Sequence, residues 1–264
     1  YFISEYESGR TPNPCVACNR YVKFEGLMEK AKELGIDYIA TGHYAVVEKE
    51  NDRYILKKSK DDSKDQTYFL YNLTQEQLSK AVFPLGSYKK TEIRDIAKQL
   101  GFNTANKPDS QEVCFIENNN HFEFVNAYSD TPTQKGEIVD IHGNVLGIHD
   151  GISKYTIGQR RGLGVVTGKP MFVIDIDGES NKVILGSNDD LFKKELIASN
   201  LNWVSIPLLK DTLDVDIKIR STAKLAKGKI SPIENNKVRV IFDKSQRAIT
   251  KGQSVVFYKE DTVV

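Results

Sequence analysis

The pattern of apolar residues changes near residue 130, and this change limits the possible folds more than any other feature of the sequence. Before it, helix and strand patterns alternate, as they do in α/β domains. After it, short alternating runs such as LDVDIKIRS (213–221) are separated by turns rich in Gly, Asn and Lys, which is typical of small β-barrels. We therefore predict an α/β part in residues 1–128, a central β-domain in 129–195 and a C-terminal β-barrel domain in 196–264.

The α/β half contains recognisable helix and strand signals. The turn TGHY (41–44) follows a short apolar run, and α/β sheets bind ligands at the carboxyl ends of their strands. The predicted elements are an amphipathic helix from Phe24 to Leu34 ended by Gly35, a strand at 36–40, a hairpin around Glu50 to Asp52, a helix from a Thr74–Gln77 capping box through Val82, and a helix over Ile93 to Leu100 ended by Gly101.

Two cysteines lie three residues apart in the segment GRTPNPCVACNRYVKF (9–24). Pro12 and Pro14 fix the backbone φ and remove two N–H donors, so we expect Cys15 and Cys18 to be displayed from a stiff loop directly before a helix. The partial positive charge of a helix N-terminus stabilises a thiolate nearby. The spacing and the setting therefore indicate reactive thiols.

The third and last cysteine, Cys114, lies in the polar segment KPDSQEVCFI (107–116). Three cysteines are too few for a disulfide framework, which leaves redox chemistry, metal binding or inert buried thiols. The sequence has 39% apolar and 28% charged residues, as in an ordinary globular protein. Because it contains neither a long apolar run nor a signal peptide, we expect no membrane association and a cytoplasmic location. It opens on Tyr1 rather than Met, so we expect a fragment.

A basic segment lies near the C-terminus. Between Lys218 and Lys251 there are ten Lys or Arg residues, and the only acidic residues are Glu234 and Asp243, although the whole chain has a net charge of +1. A concentrated basic surface on a nearly neutral protein indicates a polyanionic partner. The alternative is an ordinary solvated face of a β-domain.

Five motifs in this order, GRTPNPCVACN, IATGHY, KDQTYFLYNL, KPDSQEVCFI and YTIGQRRGLG, closely resemble the tRNA-specific 2-thiouridylase family, whose members put sulfur on carbon 2 of the wobble uridine. The resemblance covers essentially the whole chain. It implies the remainder of a Rossmann-like ATP-pyrophosphatase domain of the adenine nucleotide alpha hydrolase-like type, followed by two small β-barrel-like domains. The pyrophosphate loop of the family is expected before Tyr1, so we expect no turnover from this fragment alone.

The resemblance also implies a mechanism and a set of site residues. Family members use ATP and Mg²⁺ to adenylate the uridine and then attack the activated carbon with sulfur from a cysteine persulfide. The persulfide is assigned to Cys114, and Cys18 is its nucleophilic or resolving partner. The implied partners are the anticodon loop of tRNA and a sulfur-relay or cysteine desulfurase donor protein. The remaining implied residues are Asn13, Pro14 and Cys15 at the target base, Gly42 at the nucleotide, and His43, Lys64, Asp65, Gln66, Arg220, Ser221 and Gln253 at the tRNA.

Some of these roles remain open. Some relatives carry Asp at the position of Cys15, which leaves a proton-transfer role there in doubt. Asp109 is a second candidate carboxylate, but an Asx-turn is at least as good an interpretation. His43 could be a hydrogen-bonded structural residue. Arg160 and Arg161 could bind phosphates or form an exposed turn.

Two other functions agree with parts of the sequence. The first is a zinc-containing nucleic-acid-binding module with Cys15, Cys18, Cys114 and His43 as ligands. The second is another ATP-dependent adenylating ligase or amidotransferase partner, which would share the α/β half but would not need two distant cysteines.

Overall fold

The computed structural model describes residues 1–107, 113–116, 120–166 and 168–264. The chain forms two compact units. Unit 1 consists of Tyr1–Pro14, Glu112–Leu196 and Ile241–Ser254, and unit 2 consists of Cys15–Gln111, Ile197–Val240 and Val255–Val264. Among the described helices, none has both the length and the apolar character that a membrane crossing requires.

The helices are short. In chain order they are α1 (Phe2–Glu7), α2 (Pro14–Ala17), a π-helix (Cys18–Gly26), α3 (Leu27–Glu33), α4 (Thr67–Leu70), α5 (Gln75–Lys80), α6 (Lys90–Gln99) and α7 (His121–Tyr128), with 3-10 turns at Asn103–Asn106, Ile152–Lys154 and Asp189–Leu191. The strands are β1 (Ile39–Ala40), β2 (Ala45–Glu50), β3 (Arg53–Lys58), β4 (Ala81–Val82), β5 (Gly136–Asp140), β6 (Val145–His149), β7 (Phe172–Asp177), β8 (Lys182–Gly186), β9 (Phe192–Ala198), β10 (Leu213–Lys218), β11 (Ala226–Ile233), β12 (Lys237–Arg247), β13 (Val256–Lys259) and β14 (Thr262–Val263).

Unit 2 combines α/β elements with C-terminal strands. Strands β1 and β4 pair in parallel, with Ile39 opposite Ala81. The strands β2, β3, β14, β13, β10 and β11 are neighbours in this order. Phe24, Leu56 and Tyr258 are fully buried in one apolar cluster. The C-terminal strands therefore share a hydrophobic core with the helix that carries the cysteine pair.

Unit 1 contains a four-stranded sheet in the order β6, β5, β8, β7. Strands β5 and β8 are parallel, and the other two pairs are antiparallel. The alternation seen in the sequence places Ile138, Val173 and Val183 in its core, all fully buried. The prediction of short strands separated by turns after residue 130 is confirmed in this region.

Local signals in the α/β half predict the ends of several elements correctly. Asn51 has a φ of 52° in the tight turn of the β2–β3 hairpin. In the capping box, the Gln77 amide N–H donates to Thr74 Oγ1 at 3.1 Å, and the Thr74 amide N–H donates to Gln77 Oε1 at 3.0 Å. The prediction that this helix reaches Val82 is wrong, because Ala81 and Val82 leave the helix to pair with β1.

The predicted amphipathic helix from Phe24 to Leu34 is only partly correct. Phe24 is fully buried, but Leu27 and Leu34 are 47% and 63% exposed, and α3 contains no buried residue. Residues 18–26 wind as a π-helix. Leu27 and Leu34 lie outside the π-helix, so its wider turn does not account for their exposure.

Candidate functional site

The cysteine pair lies in the first turns of a continuous helical segment that begins at Pro14. Cys15 is exposed in α2, and Cys18 is half-buried at the start of the π-helix. The expectation that both thiols are displayed from a loop is therefore wrong. Pro14 explains the difference, because the fixed φ of proline suits the first position of a helix, where its missing N–H has no partner to lose.

Side-chain amides fix this helical segment within unit 2. Asn19 Nδ2 donates to the Phe69 carbonyl at 3.1 Å, and Asn72 Nδ2 donates to the Val16 carbonyl at 3.3 Å. Both side chains are buried. The bonds join the segment to the region of α4, and they hold the backbone on either side of Cys18.

His43 is a buried side chain in the turn after β1. Its Nδ1 is 2.8 Å from Thr41 Oγ1, and its ring lies 6.1 Å from the Phe24 ring and 5.9 Å from the Phe83 ring. Burial, together with the positive charge of Lys23, lowers the pKa of His43 to about 4. The imidazole is therefore neutral at physiological pH. Gly42, beside it, is exposed.

The segment of Lys64, Asp65 and Gln66 is held from both sides. The Gln66 amide N–H donates to the Tyr44 carbonyl, and the Tyr44 amide N–H donates to Gln66 Oε1, both at 2.9 Å. Asp65 Oδ2 accepts from Thr67 Oγ1 at 2.6 Å. The side chains of Asp65 and Gln66 thus accept hydrogen bonds from Thr67 and from the Tyr44 backbone. Lys64, which precedes them, is half-buried.

Asp65 links this segment to the C-terminal strands. Thr67 Oγ1, which binds Asp65, is also 3.1 Å from the buried hydroxyl of Tyr258 in β13. Burial raises the pKa of Asp65, and its hydrogen bonds and the charge of Lys218 oppose that rise. Lys218 is the last residue of β10, two positions before Arg220. The structure therefore brings the Lys64–Gln66 segment close to the strand that leads to Arg220 and Ser221.

Cys114 is an exposed thiol in a turn of unit 1. The amide N–H of Ile116 donates to the Val113 carbonyl at 3.1 Å, and the Phe115 ring packs against Phe2 at 5.3 Å. Buried and packed neighbours therefore anchor the turn on its C-terminal side. Asp109, the other candidate in this motif, lies outside the described residues.

Asn13, Pro14 and Gln253 also lie in unit 1. Asn13 and Pro14 are half-buried. Gln253 Nε2 donates to the Thr11 carbonyl at 2.8 Å, two residues before Asn13. A residue assigned to the tRNA by resemblance thus contacts the loop assigned to the target base.

Arg160 and Arg161 lie in a turn of unit 1. Arg161 is exposed, and its carbonyl accepts from Gln159 Nε2 at 3.0 Å. Gly162 follows with a φ of 69°. These contacts agree with the exposed-turn interpretation.

The basic segment is partly neutralised by acidic residues that precede it in the sequence. In the β10–β11 pair, Lys229 lies opposite Asp214 and Lys227 lies opposite Asp216. Lys229 Nζ is 3.5 Å from Asp214 Oδ1. The local charge excess counted along the chain therefore overstates the positive charge of this face.

Cys15, Cys18 and Cys114, all among the described residues, form no disulfide. Within the described part of the chain, no group of three or more His, Cys, Asp or Glu side chains could hold a metal ion. The zinc module is accordingly not favoured. Cys15, Cys18, His43, Lys64, Asp65, Gln66, Arg220 and Ser221 belong to unit 2, and Asn13, Pro14, Cys114 and Gln253 belong to unit 1.

The sequence interpretation assigned no role to Asn19 or Asn72. Both are buried, and each fixes a backbone carbonyl across unit 2. Asn19 directly follows Cys18 in the motif GRTPNPCVACN, and Asn72 lies near the end of the motif KDQTYFLYNL. Their place in two of the five motifs was the available signal. A side-chain amide in such a motif can form its hydrogen bonds with the protein backbone as well as with a ligand.

Sequence models of three domain families match the chain in series. The tRNA methyl transferase HUP domain matches residues 1–118, the tRNA methyl transferase PRC-barrel domain matches 123–187, and the aminomethyltransferase beta-barrel domain matches 193–264. These matches confirm the predicted fold class, an α/β nucleotide-binding type of domain followed by two barrel-like domains. The predicted boundaries between the domains remain a prediction.

Similar proteins include tRNA-specific 2-thiouridylase MnmA 2 of Clostridium botulinum (strain Okra) and of Clostridium tetani, each 54% identical over 264 residues. The MnmA of Clostridium perfringens (strain 13) is 53% identical over the same length. Each alignment covers 100% of this chain and 74% of the relative. The chain therefore belongs to the tRNA-specific 2-thiouridylase (MnmA) family.

Proposed function

We propose that this chain serves in the synthesis of 2-thiouridine at the wobble position of tRNA, as part of a tRNA-uridine 2-sulfurtransferase. The observation that carries the proposal is the identity of 54% over all 264 residues to tRNA-specific 2-thiouridylase MnmA 2 of Clostridium botulinum. The exposed thiols of Cys15 and Cys114 and the half-buried thiol of Cys18 suit sulfur chemistry. We also propose a cytoplasmic location, where the tRNA substrate is available.

The reaction requires an activated uridine, because an oxygen on carbon 2 is a poor leaving group. ATP, when bound, supplies the adenylate that makes this oxygen a leaving group. Gly42 fits a nucleotide contact: it lies just beyond the carboxyl end of β1, and an added Cβ would have Leu85 Cδ1, at 3.7 Å, as its nearest neighbour. We assign Mg²⁺ to the phosphates of ATP and no residue of this chain to Mg²⁺.

Two cysteines take part in the sulfur transfer, Cys114 as the carrier of the persulfide and Cys18 as the thiolate that attacks it. A donor protein, either a sulfur relay or a cysteine desulfurase, leaves a persulfide on Cys114. The Cys18 thiolate then attacks the Cys114 sulfur, so that a Cys18–Cys114 disulfide forms and hydrosulfide leaves toward the activated carbon 2. Hydrosulfide adds there and AMP departs. A dithiol reductant returns two electrons to the disulfide and restores both thiols.

The other assigned residues divide into contact and support. Asn13, Pro14 and Cys15 are proposed to face the target base, and His43 is proposed to meet the RNA as a neutral group. Lys64, Arg220 and Ser221 are proposed to contact the backbone of the anticodon loop, with Asp65, Gln66 and Gln253 in the same tRNA-binding set. An anticodon-loop uridine is already largely unpaired, so its entry into a site has a small unstacking cost.

The cysteine assignment is tested in the complete enzyme with a persulfide donor present. We expect Cys114→Ser to abolish thiolation and Cys18→Ser to reduce it by at least about a hundredfold, since each removes one sulfur of a two-sulfur step. Mass spectrometry after mild oxidation and trypsin digestion should show a linked peptide containing Cys18 and Cys114.

Cys15→Ser is the matched control, because Cys15 lies three residues before Cys18 in the same helical segment. We expect a milder loss from this variant. A peptide that links Cys15 to Cys18, with Cys114 free and never persulfidated, would contradict the assignment.

A further inference from the structure

The loop before the cysteine pair is held by three consecutive residues of unit 1, Lys251, Gly252 and Gln253, which we call the clamp. The Thr11 amide N–H donates to the Lys251 carbonyl at 2.9 Å. The Thr11 carbonyl in turn accepts from Gln253 Nε2 at 2.8 Å. Both backbone polar groups of Thr11 are therefore bound by the clamp.

Gly252 makes this close approach possible. It has a φ of 88°, and an added Cβ would lie 3.0 Å from both Arg10 Cβ and the Thr11 nitrogen. A larger residue would strain the turn and push the loop away. Lys251 Nζ is also 3.0 Å from Asp175 Oδ1, which ties the clamp to β7. The clamp is thus fixed to the sheet of unit 1.

The sequence of the loop makes the bonds at Thr11 important. Pro12 and Pro14 have no backbone N–H, so two of the four residues from 11 to 14 cannot donate to a neighbouring strand or turn. The prolines stiffen the loop without attaching it. The direction in which the loop leaves Thr11 then depends on how the Thr11 peptide groups are held.

We infer that Gln253 is a positioning residue, which orients Asn13 and Pro14 through its hydrogen bond to the Thr11 carbonyl. The inference rests on the proposed function, in which Asn13 and Pro14 face the target uridine. One of the two N–H groups of the Gln253 amide is bound to the protein backbone, and we assign the role of the side chain to this bond rather than to a direct tRNA contact. Discrimination at the wobble base, rather than general tRNA affinity, is the property that Gln253 supports.

Gln253→Met in the complete enzyme tests this inference, since Met has a similar size and no donor. In the RNA-free protein, the Thr11 amide keeps its bond to the Lys251 carbonyl, but losing the bond at the Thr11 carbonyl should let the loop open more often. Hydrogen exchange of the Thr11 amide should therefore rise about fivefold, the effect of one ordinary hydrogen bond on loop opening. Thiolation at saturating anticodon stem-loop should fall about tenfold, because the base is held less accurately. The preference for a wobble uridine over a wobble cytidine should decrease, while affinity for the cytidine stem-loop and the melting temperature stay within experimental error.

Gln246→Met is the matched control, because Gln246 Nε2 donates to the nearby Lys244 carbonyl at 2.7 Å and not to the loop. This variant should behave as the parent protein. If Gln253→Met left hydrogen exchange of the Thr11 amide unchanged and weakened binding of the uridine and cytidine stem-loops equally, Gln253 would contact the RNA directly. That result would overturn the inference. Raised exchange with normal thiolation and normal preference would also overturn it. A parent protein that neither thiolates nor distinguishes the stem-loops would instead refute the proposed function.

Discussion

At the scale of single residues, burial decides the chemistry of His43. The sequence left open whether this lone histidine is a structural or an RNA-contacting group. In the structure it is buried between Phe24 and Phe83, and its pKa is lowered to about 4, chiefly by burial. A phosphate contact that depends on a charged imidazole is therefore not available at neutral pH, whereas a neutral hydrogen bond is.

The lowered pKa of His43 predicts a pH-dependent stability. As the pH falls, the unfolded chain takes up a proton near pH 6.5 and the folded chain only near pH 4, so the stability present above about pH 6.5 is lost between these values. Between pH 7 and pH 5, this difference destabilises the fold by about 2 kcal/mol.

His43→Asn removes the titrating group, so urea unfolding should show a correspondingly smaller loss for the variant than for the parent protein over the same range. The raised pKa of Asp65 acts in the opposite direction, but it is common to both proteins and cancels from the comparison. Parallel pH profiles for the two proteins would refute this account.

At the scale of elements, Asp65 fixes the loop between β3 and α4. Its Oδ1 accepts from the Ser59 amide at 3.3 Å, and its Oδ2 accepts from the Thr67 hydroxyl at 2.6 Å. Asp65→Ala leaves these donors without their acceptor and removes the carboxylate near Lys218. We expect unit 2 to lose about 2 to 3 kcal/mol of stability, measured by denaturant unfolding at pH 7.

Asp62→Ala is the control for this prediction, because Asp62 is exposed in the same loop. It should change the stability by no more than a few tenths of a kcal/mol. Equal effects of the two substitutions would mean that the Asp65 hydrogen bonds are not important for the loop.

The helical segment from Pro14 to Glu33 was predicted only in part from the apolar pattern of the sequence. Its end at Gly35 was predicted from the glycine, which has a φ of 69°. Its start, its π-helical part at residues 18–26 and the exposure of α3 were not predicted, because a local apolar pattern does not state which face finds a packing partner. The amides of Asn19 and Asn72, which come together only in the folded chain, hold that part in place.

At the scale of the whole molecule, the arrangement of charge predicts the salt dependence of tRNA binding. Lys224 is exposed in the loop before β11, and Lys227 is exposed on that strand. Changing both to Glu should weaken tRNA binding and lower the slope of log K against log salt by about 2, one unit for each phosphate contact. Filter binding between low and physiological salt measures this slope.

Lys229→Gln is the comparison in the same strand. Asp214 Oδ1 lies 3.5 Å from Lys229 Nζ and already offsets its charge, so this substitution should change the slope less than Lys224→Gln does. An unchanged slope for the double variant would exclude a phosphate contact by Lys224 and Lys227.

The sequence by itself determined the features that depend on neighbouring residues or on long shared motifs. These features are the β2–β3 turn at Asn51, the Thr74–Gln77 capping box, the helix stop at Gly101, the alternating strands after residue 130 and the family. Each follows from local backbone preferences, from a fixed period of apolar residues, or from several motifs in a fixed order.

Only the tertiary structure decided features that depend on residues far apart in the chain. The burial of His43 results from packing against Phe83, the orientation of Asp65 depends on Thr67 and Tyr258, and Gln253 reaches back 242 positions to Thr11. The partial neutralisation of the basic face arises in the same way, from strands that pair in space. Hydrogen bonding, desolvation and charge pairing act over a few ångströms, and the sequence does not state which distant residues come within that range.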